Sequence, residues 1–231
     1  MKKKDKFKDR YPDKKFDLLP APVSSIQVQK KNKTRFSVFV NDTFLIGISD
    51  SALTRFNIRK GKEITRSLLQ SLIDHEEQFA AREYMIGLLS RRDHSRKELY
   101  TKSIKKGFES SYLNDILDQL EQKGYINDRS FAEKFVHDKF EFRQWGPYKI
   151  RAELAKKGIY GEDADRALNI VLDKEDIVES MFGLISKKKA RYLREDPDKR
   201  RNKIFDFLRR KGYDSSIILN HLDELLNKIE S

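Results

Sequence analysis

His75, His94, His137 and His221 are the imidazoles this chain has for chemistry, and no two stand at the i, i+4 spacing that places a pair of zinc ligands on one helix face. Cysteine is absent, which excludes disulfides and thiolate chemistry and fits a reducing compartment. The phosphate loop GxxxxGK[ST], the dinucleotide turn GxGxxG and the nucleophile elbow GxSxG are all missing. Acidic neighbours such as Glu76 and Glu77 or Asp163 and Asp165 occur, but among 37 acidic residues such proximity arises by chance. The chain reads as a non-enzyme with no metal and no cofactor.

The chemistry that remains is ionic. Lys and Arg number 49 against 37 Asp and Glu, a formal charge of +12, and a basic surface concentrates polyanions and speeds encounter with them. Nucleic acid, or a complex that contains it, is the expected partner, and three clusters point to where. In "SRRDHSRKEL", Arg91, Arg92, Arg96 and Lys97 gather around His94. This is a helix junction: Ser90 ends one helix, and Asp93 or Ser95 caps the next, with Glu98 completing a capping-box spacing after Ser95. The free N–H groups of such a helix start also suit phosphate or an acidic loop.

"EFRQWGPYKIRAEL" is the corresponding junction further on, with Arg143, Trp145, Lys149 and Arg151. Pro147 suits the first helical position. Trp145 is either an exposed stacking platform or a ring packed under the turn. The densest basic stretch comes last: Lys187, Lys188, Lys189, Arg191, Arg194, Lys199, Arg200, Arg201, Lys203, Arg209, Arg210 and Lys211, against only Glu195, Asp196, Asp198 and Asp206. A merely solvated helix interleaves its signs more evenly, so an anion-contacting surface is expected here, with Arg200, Arg201 and Lys203 needing no burial.

The elements that position these clusters follow from periodicity. "KKG" recurs with Lys105 and Lys106 before Gly107 and with Lys156 and Lys157 before Gly158, and "RKG" precedes Gly212. Each glycine is followed by an apolar residue, Phe108, Ile159 or Tyr213, and then by a trio on one helical face: Leu113, Leu117 and Leu120; Ala164, Leu168 and Val171; Ile218, Leu222 and Leu225. Leu99, Ile150 and Ile204 hold one matching position in the helix before. The glycines are expected at helix C′ in the left-handed conformation. A third helix precedes in each unit, with Ala81, Tyr84, Met85 and Leu88 matched by Ala132, Phe135, Val136 and Lys139; in the last unit "SKKKARYLREDPDKR" breaks the register.

The fold class is therefore mainly α, with tandem three-helix repeats forming an elongated, curved body, and a small β-rich appendage in front. In the appendage the period is two: Ile26 and Val28 alternate with Gln27 and Gln29, then Phe36, Val38 and Val40 share a face, then Phe44, Ile46 and Ile48, which predicts three antiparallel strands. "SDSALTRF" supplies a covering helix capped by Ser49 or Asp50. The expected boundaries are a basic flexible tail over 1–22, the β-rich domain over 23–64, repeat 1 over 65–140, repeat 2 over 141–172 with the preceding helix 128–140, and repeat 3 over 173–231. No apolar stretch approaches the roughly 20 residues of a membrane span, and no apolar run follows the basic start. A cytoplasmic protein is expected, and without heptads a monomer.

"LLSRRDHSRKEL" followed by "KKGF", "LDQLEQKGYINDRSFAEKFV", "RQWGPYKIRAELAKKGI" and "ADRAL" closely resembles the RecX regulatory proteins, bacterial modulators of the RecA recombinase. The likeness spans about Glu76 to Leu226 and is most specific from Ser90 to Leu168. It implies tandem three-helix repeats, no catalytic residues, and a body lying in the groove of the RecA filament on DNA. There such proteins limit filament growth, ATP hydrolysis, strand exchange and co-protease activity. The alternative from the residues alone is a direct single-stranded DNA- or RNA-binding module that acts without the recombinase. The strand-rich segment is absent from the shortest members of the family, so the resemblance leaves its role open.

Overall fold

Period-two alternation between Ala21 and Ser49 becomes three antiparallel strands, β1 (Ala21–Val28), β2 (Arg35–Val40) and β3 (Thr43–Ser49). Val38 pairs with Ile26 on one side and Ile46 on the other. Val23, Val38, Val40, Ile46 and Ile48 share one buried core. Between β2 and β3, Asn41 and Asp42 take φ of 47° and 56°, which lets a two-residue turn match the strand twist. Ser49 caps α1 (Asp50–Arg55), its side chain accepting from the Ala52 N–H.

The computed structural model describes residues 13–230. Two expectations change here. A fourth strand, β4 (Glu63–Ile64), pairs with β1 and gives the order β3-β2-β1-β4. Two residues cannot display an alternation; backbone bonds make this strand, Val23 N donating to Lys62 O at 2.9 Å and Gly61 N to Val23 O at 2.9 Å. Of the segment 1–22 expected as a flexible tail, Asp13–Leu18 instead form a 3-10 helix and β1 starts at Ala21. Phe16, Leu18 and Leu19 pack on the sheet core, and Lys15 Nζ donates to Leu45 O at 2.6 Å. Residues 1–12 of that expected segment lie outside the described residues.

From Thr65 the chain is helical, in two compact units: the chain up to Arg92 with Leu99–Tyr125, and Asp93–Glu98 with the chain from Ile126 onward. In the first unit, α2 (Arg66–Leu89) lays Leu69, Leu72 and Ile73 on the sheet core. α3 (Arg96–Lys106), which belongs to this unit from Leu99 and to the second unit before it, and α4 (Leu113–Gln122) follow. Glu76 and Glu77, expected to be neighbours by chance, are both buried in α2: Glu76 binds Ser49 and Arg35 of the sheet, and Glu77 accepts from the Tyr112 hydroxyl at 2.8 Å.

The second unit contains α5 (Asp128–Glu141), α6 (Pro147–Lys156), α7 (Glu162–Val171), α8 (Lys174–Ser186), a short α9 (Lys189–Tyr192), α10 (Pro197–Lys211) and α11 (Ser215–Glu230). The apolar trios supply its core, with Ala164, Leu168, Ile218, Leu222 and Leu225 buried beside Ile150, Leu154, Ile204 and Leu208. Its repeats meet by a recurring joint. The start of one repeat's middle helix is held by the residues that end the middle helix of the next: Ser95 Oγ donates to Lys157 O at 2.7 Å, and at the equivalent place Gly146 N donates to Lys211 O at 2.9 Å. Gly158 and Gly212, at φ +90° and +95°, follow those carbonyls. A Cβ on Gly158 would meet Lys97 Cβ at 2.8 Å, and one on Gly212 would meet Lys149 Cβ at 2.3 Å. These glycines serve close approach as well as the turn.

Asp214 starts α11, accepting from Ser216 N at 2.7 Å and Ile217 N at 3.2 Å. The Ser216 hydroxyl, then the Tyr148 hydroxyl and the Ile217 N–H, lower its pKa from 3.8 to about 2. The folded value is depressed, so this stabilisation is complete above pH 3.8 and fades as pH falls toward 2. Asp214→Ala is expected to cost about 1 kcal/mol at neutral pH. In urea melts the gap to the parent should close as pH drops through that window; a gap independent of pH would refute the capping role.

Candidate polyanion interface

The basic stretch from Lys187 to Lys211 is divided by α10 into two sides. Ile204 and Leu208 are fully buried in the core. Lys203, Asp206, Phe207 and Arg210, at helical spacing on another stripe, face Lys188, Arg191 and Tyr192 across a cavity of about 250 Å³. Lys188 Nζ stands 3.8 Å from the centroid of the Phe207 ring. Lys203 pairs with Glu195. The cavity thus has four cationic residues and one carboxylate on its wall.

Beside it the second joint gathers more cations. Lys187 ends α8, Lys211 ends α10, and Lys149 lies in the first turn of α6. Their acceptors are neutral: Lys187 Nζ donates to Gln144 Oε1 at 2.9 Å, Lys211 Nζ to Arg143 O at 3.3 Å, and Lys149 Nζ sits 4.6 Å from the centroid of Trp145. Burial, and after it the positive charges of Lys149, Lys188 and Lys187, lower the Lys211 pKa from its ordinary value. Among the described residues, none of Lys149, Lys187, Lys188 and Lys211 has a carboxylate in an ion pair. Cations that crowd without counter-charge are stabilised by an anion that joins them.

Other expected residues are placed differently. Arg200 is corrected: it is buried, not a free surface charge, with Nε donating to Tyr192 O at 3.1 Å, Nη2 to Glu195 O at 3.2 Å, and Glu230 as its ion partner. It closes the α9–α10 turn, whose carbonyls need a donor. Arg201 pairs with Asp223, Arg151 with Asp165, Lys156 with Glu153, and Lys157 with Glu98. Arg209 stacks 6.0 Å from Phe205, and Lys189 is half-buried.

At the first junction His94 is buried at 4% exposure, while Arg91, Arg92 and Lys97 are exposed and the Arg96 N–H is held by Asp128 at 2.8 Å. Lys105 and Lys106 belong to the first unit, Lys106 lying 5.8 Å from the Tyr84 ring. Of the two readings open for Trp145, packing under the turn describes it, for the half-buried ring lies against the core. Phe142 is the exposed aromatic of that loop, at 76%. Tyr192 and Phe207 were not legible as cavity residues; the only signal was the Lys203, Phe207 and Arg210 spacing. Among the described residues no cluster of His, Asp or Glu could hold a metal ion, and no helix is long and apolar enough to cross a membrane.

Comparison with known proteins places a family over most of the chain. Residues 21–65 match the model of the regulatory protein RecX N-terminal domain, and 81–125, 127–168 and 175–221 match the first, second and third three-helix domains of RecX. The β-rich segment thus has a counterpart within the family. The regulatory protein RecX of Clostridioides difficile (strain 630) is 31% identical over 205 residues, covering 89% of this chain and 96% of its own length. That of Chlorobium phaeobacteroides (strain BS1) is 36% identical over 140 residues, covering 61% of this chain and 89% of its own. A crystal structure of a regulatory protein RecX superimposes with a TM-score of 0.75 at 26% identity, over 88% of this chain and 99% of that one. RecX from Lactobacillus salivarius gives 0.60 at 27% identity, over 68% and 98%.

Proposed function

The chain belongs to the RecX family of regulatory proteins, and from that premise we propose that it binds the RecA recombinase filament on DNA and restrains its growth, ATP hydrolysis, strand exchange and co-protease activity. It acts by binding alone, as a cytoplasmic monomer. The observation that carries this reading is the convergence of Lys149, Lys187 and Lys211 on the turn 143–145, with Lys188, Arg191 and Arg210 on a cavity wall, because segments far apart in sequence bring positive charge to the second unit. A filament on DNA offers phosphates and acidic side chains, and charge complementarity toward such a partner speeds encounter and fixes register.

The test is the DNA-dependent ATPase of RecA with the chain titrated in. A concentration-dependent fall is expected; an unchanged rate at saturation sinks the reading. Replacing exposed Lys187, Lys188, Arg191 and Arg210 together by Glu should raise the concentration needed for half-inhibition by tenfold or more, with helicity unchanged by circular dichroism. Direct binding of bare single strands is the competing reading, favoured by the uncompensated charge of the joint. It predicts tight binding without the recombinase, with log affinity falling against log salt at about −0.7 per phosphate neutralised. Trp145, the single tryptophan, reports either event by fluorescence because Lys149 touches its ring.

A further inference from the structure

The two joints of the second unit occupy equivalent places in the repeats and differ in charge and in detail, Gly158 lying against Lys97 and Gly212 against Lys149, one register position further on. At the first, Lys157, just before Gly158, is paired with Glu98. In the repeat register that sets Ser95 against Gly146 and Lys157 against Lys211, the residue matching Glu98 is Lys149. Where the first joint sets a carboxylate toward a lysine, the second sets a lysine: Lys149 Nζ lies over Trp145 and Lys211 Nζ holds Arg143 O two residues before it, so two like charges share the 143–145 turn. The contact is nonetheless as close, since Tyr148 N donates to Gly212 O at 3.0 Å and Gly212 leaves no room for a Cβ beside Lys149. Like charges drawn together by a joint of fixed geometry destabilise it.

We propose that the second joint is a phosphate-binding site, in which a phosphate group bridges Lys149 and Lys211 where the first joint has the carboxylate of Glu98, and that its occupancy fastens the second and third repeats together. Lys187 stands by to complete the anion's shell, since its Nζ holds Gln144 Oε1, between Arg143, whose carbonyl takes Lys211 Nζ, and Trp145, whose ring carries Lys149 Nζ, and Lys188 follows it in the chain. The natural source is a phosphodiester of a nucleic-acid strand: Lys188 also lines the cavity with Arg191 and Arg210, so a second phosphate of the same strand has a place next to the first. A free polyphosphate has the same chemistry and a different source. The inference deepens the polyanion reading above and rests on it only for the biological partner.

Lys149→Glu recreates the carboxylate of the first joint and so supplies from within what the phosphate supplies from outside. The full chain is melted alone, with a thymidine 20-mer, and with inorganic tripolyphosphate. The wild type should gain several degrees in Tm with the oligonucleotide. Lys149→Glu should start above the wild type, gain nothing, and bind the strand at least tenfold more weakly with a shallower salt slope. Lys149→Ala and Lys211→Gln provide the control for folding: both should lose the anion-induced rise whatever their own Tm.

A rise that persists in all three variants overturns the site, as does a Lys149→Glu chain less stable than Lys149→Ala. A Lys149-dependent rise with tripolyphosphate and none with the oligonucleotide overturns the nucleic-acid source. Because these melts use the chain alone, they are separable from the ATPase test. Absent RecA inhibition with a Lys149-dependent rise removes the filament reading and keeps the site; RecA inhibition with an anion-insensitive joint does the reverse.

Discussion

Replacing Gly212 by valine is expected to destabilise the chain by about 3 kcal/mol or more, whereas the same change at Gly107 should cost about 1 to 2 kcal/mol. All three turn glycines have positive φ, +105° at Gly107, +90° at Gly158 and +95° at Gly212, and for a side chain that region costs roughly 1–2 kcal/mol. Space separates them. A Cβ at Gly107 would meet nothing within 4 Å; at Gly158 it meets Lys97 Cβ at 2.8 Å and Cδ at 3.0 Å; at Gly212 it meets Lys149 Cβ at 2.3 Å and the Lys149 backbone nitrogen at 2.6 Å. Backbone cannot swing aside as a side chain can, so at Gly212 overpacking adds a further 1–3 kcal/mol or more. Gly158→Val should fall between the two. Urea melts followed by circular dichroism give the order directly. Equal losses at the three positions would mean that the turn alone matters and that the joints between repeats do not depend on close approach.

The order Gly107, Gly158, Gly212 also shows where sequence reasoning stops. Helical periodicity was legible because burial follows it: Leu113, Leu117 and Leu120, and later Ile218, Leu222 and Leu225, are all at most 2% exposed. A C′ glycine was legible because its conformation is local. The approach of Lys149 to Gly212 was not, since it joins residues of different repeats, and three glycines alike in local sequence, each after two basic residues and before an apolar one, have different surroundings.

Charge was legible in amount and less so in placement. Arg200 and Arg201 are sequence neighbours in one basic run, yet Arg200 is buried against the carbonyls of Tyr192 and Glu195 while Arg201 pairs with Asp223 near the surface. Only the path of the α9–α10 turn decides between them. The matching of Glu98 by Lys149, and of Lys157 by Lys211, lay within reach of the repeat alignment, but its meaning depended on knowing where those positions lie. β4 was beyond any periodicity argument, because its two residues are strand only through what β1 offers them.

Glu76→Ala should cost about 3–5 kcal/mol, the loss expected when one partner of a buried ion pair is removed. Glu76 is 1% exposed, and its two oxygens divide the work. Oε1 accepts from Ser49 N and Ser49 Oγ, each at 2.7 Å; Oε2 accepts from Arg35 Nη2 at 2.7 Å. One carboxylate on α2 thereby holds the end of β3, the N-cap of α1 and the start of β2. Alanine leaves the Ser49 N–H buried without an acceptor, and leaves the Arg35 guanidinium with only Gly47 O, at 2.9 Å, from its present pair. Glu76→Gln separates the two losses, since its amide oxygen can still accept from Ser49 while the charge facing Arg35 is gone. It should retain about half the stability that alanine loses. Amide exchange in β2 and β3 is the measurement: protection there should fall sharply for alanine and partly for glutamine. If glutamine is as costly as alanine, the charge on Arg35 governs the junction of sheet and helix. If alanine is harmless, Glu76 does not hold that junction, and apolar packing of Leu69 and Leu72 alone joins α2 to the sheet.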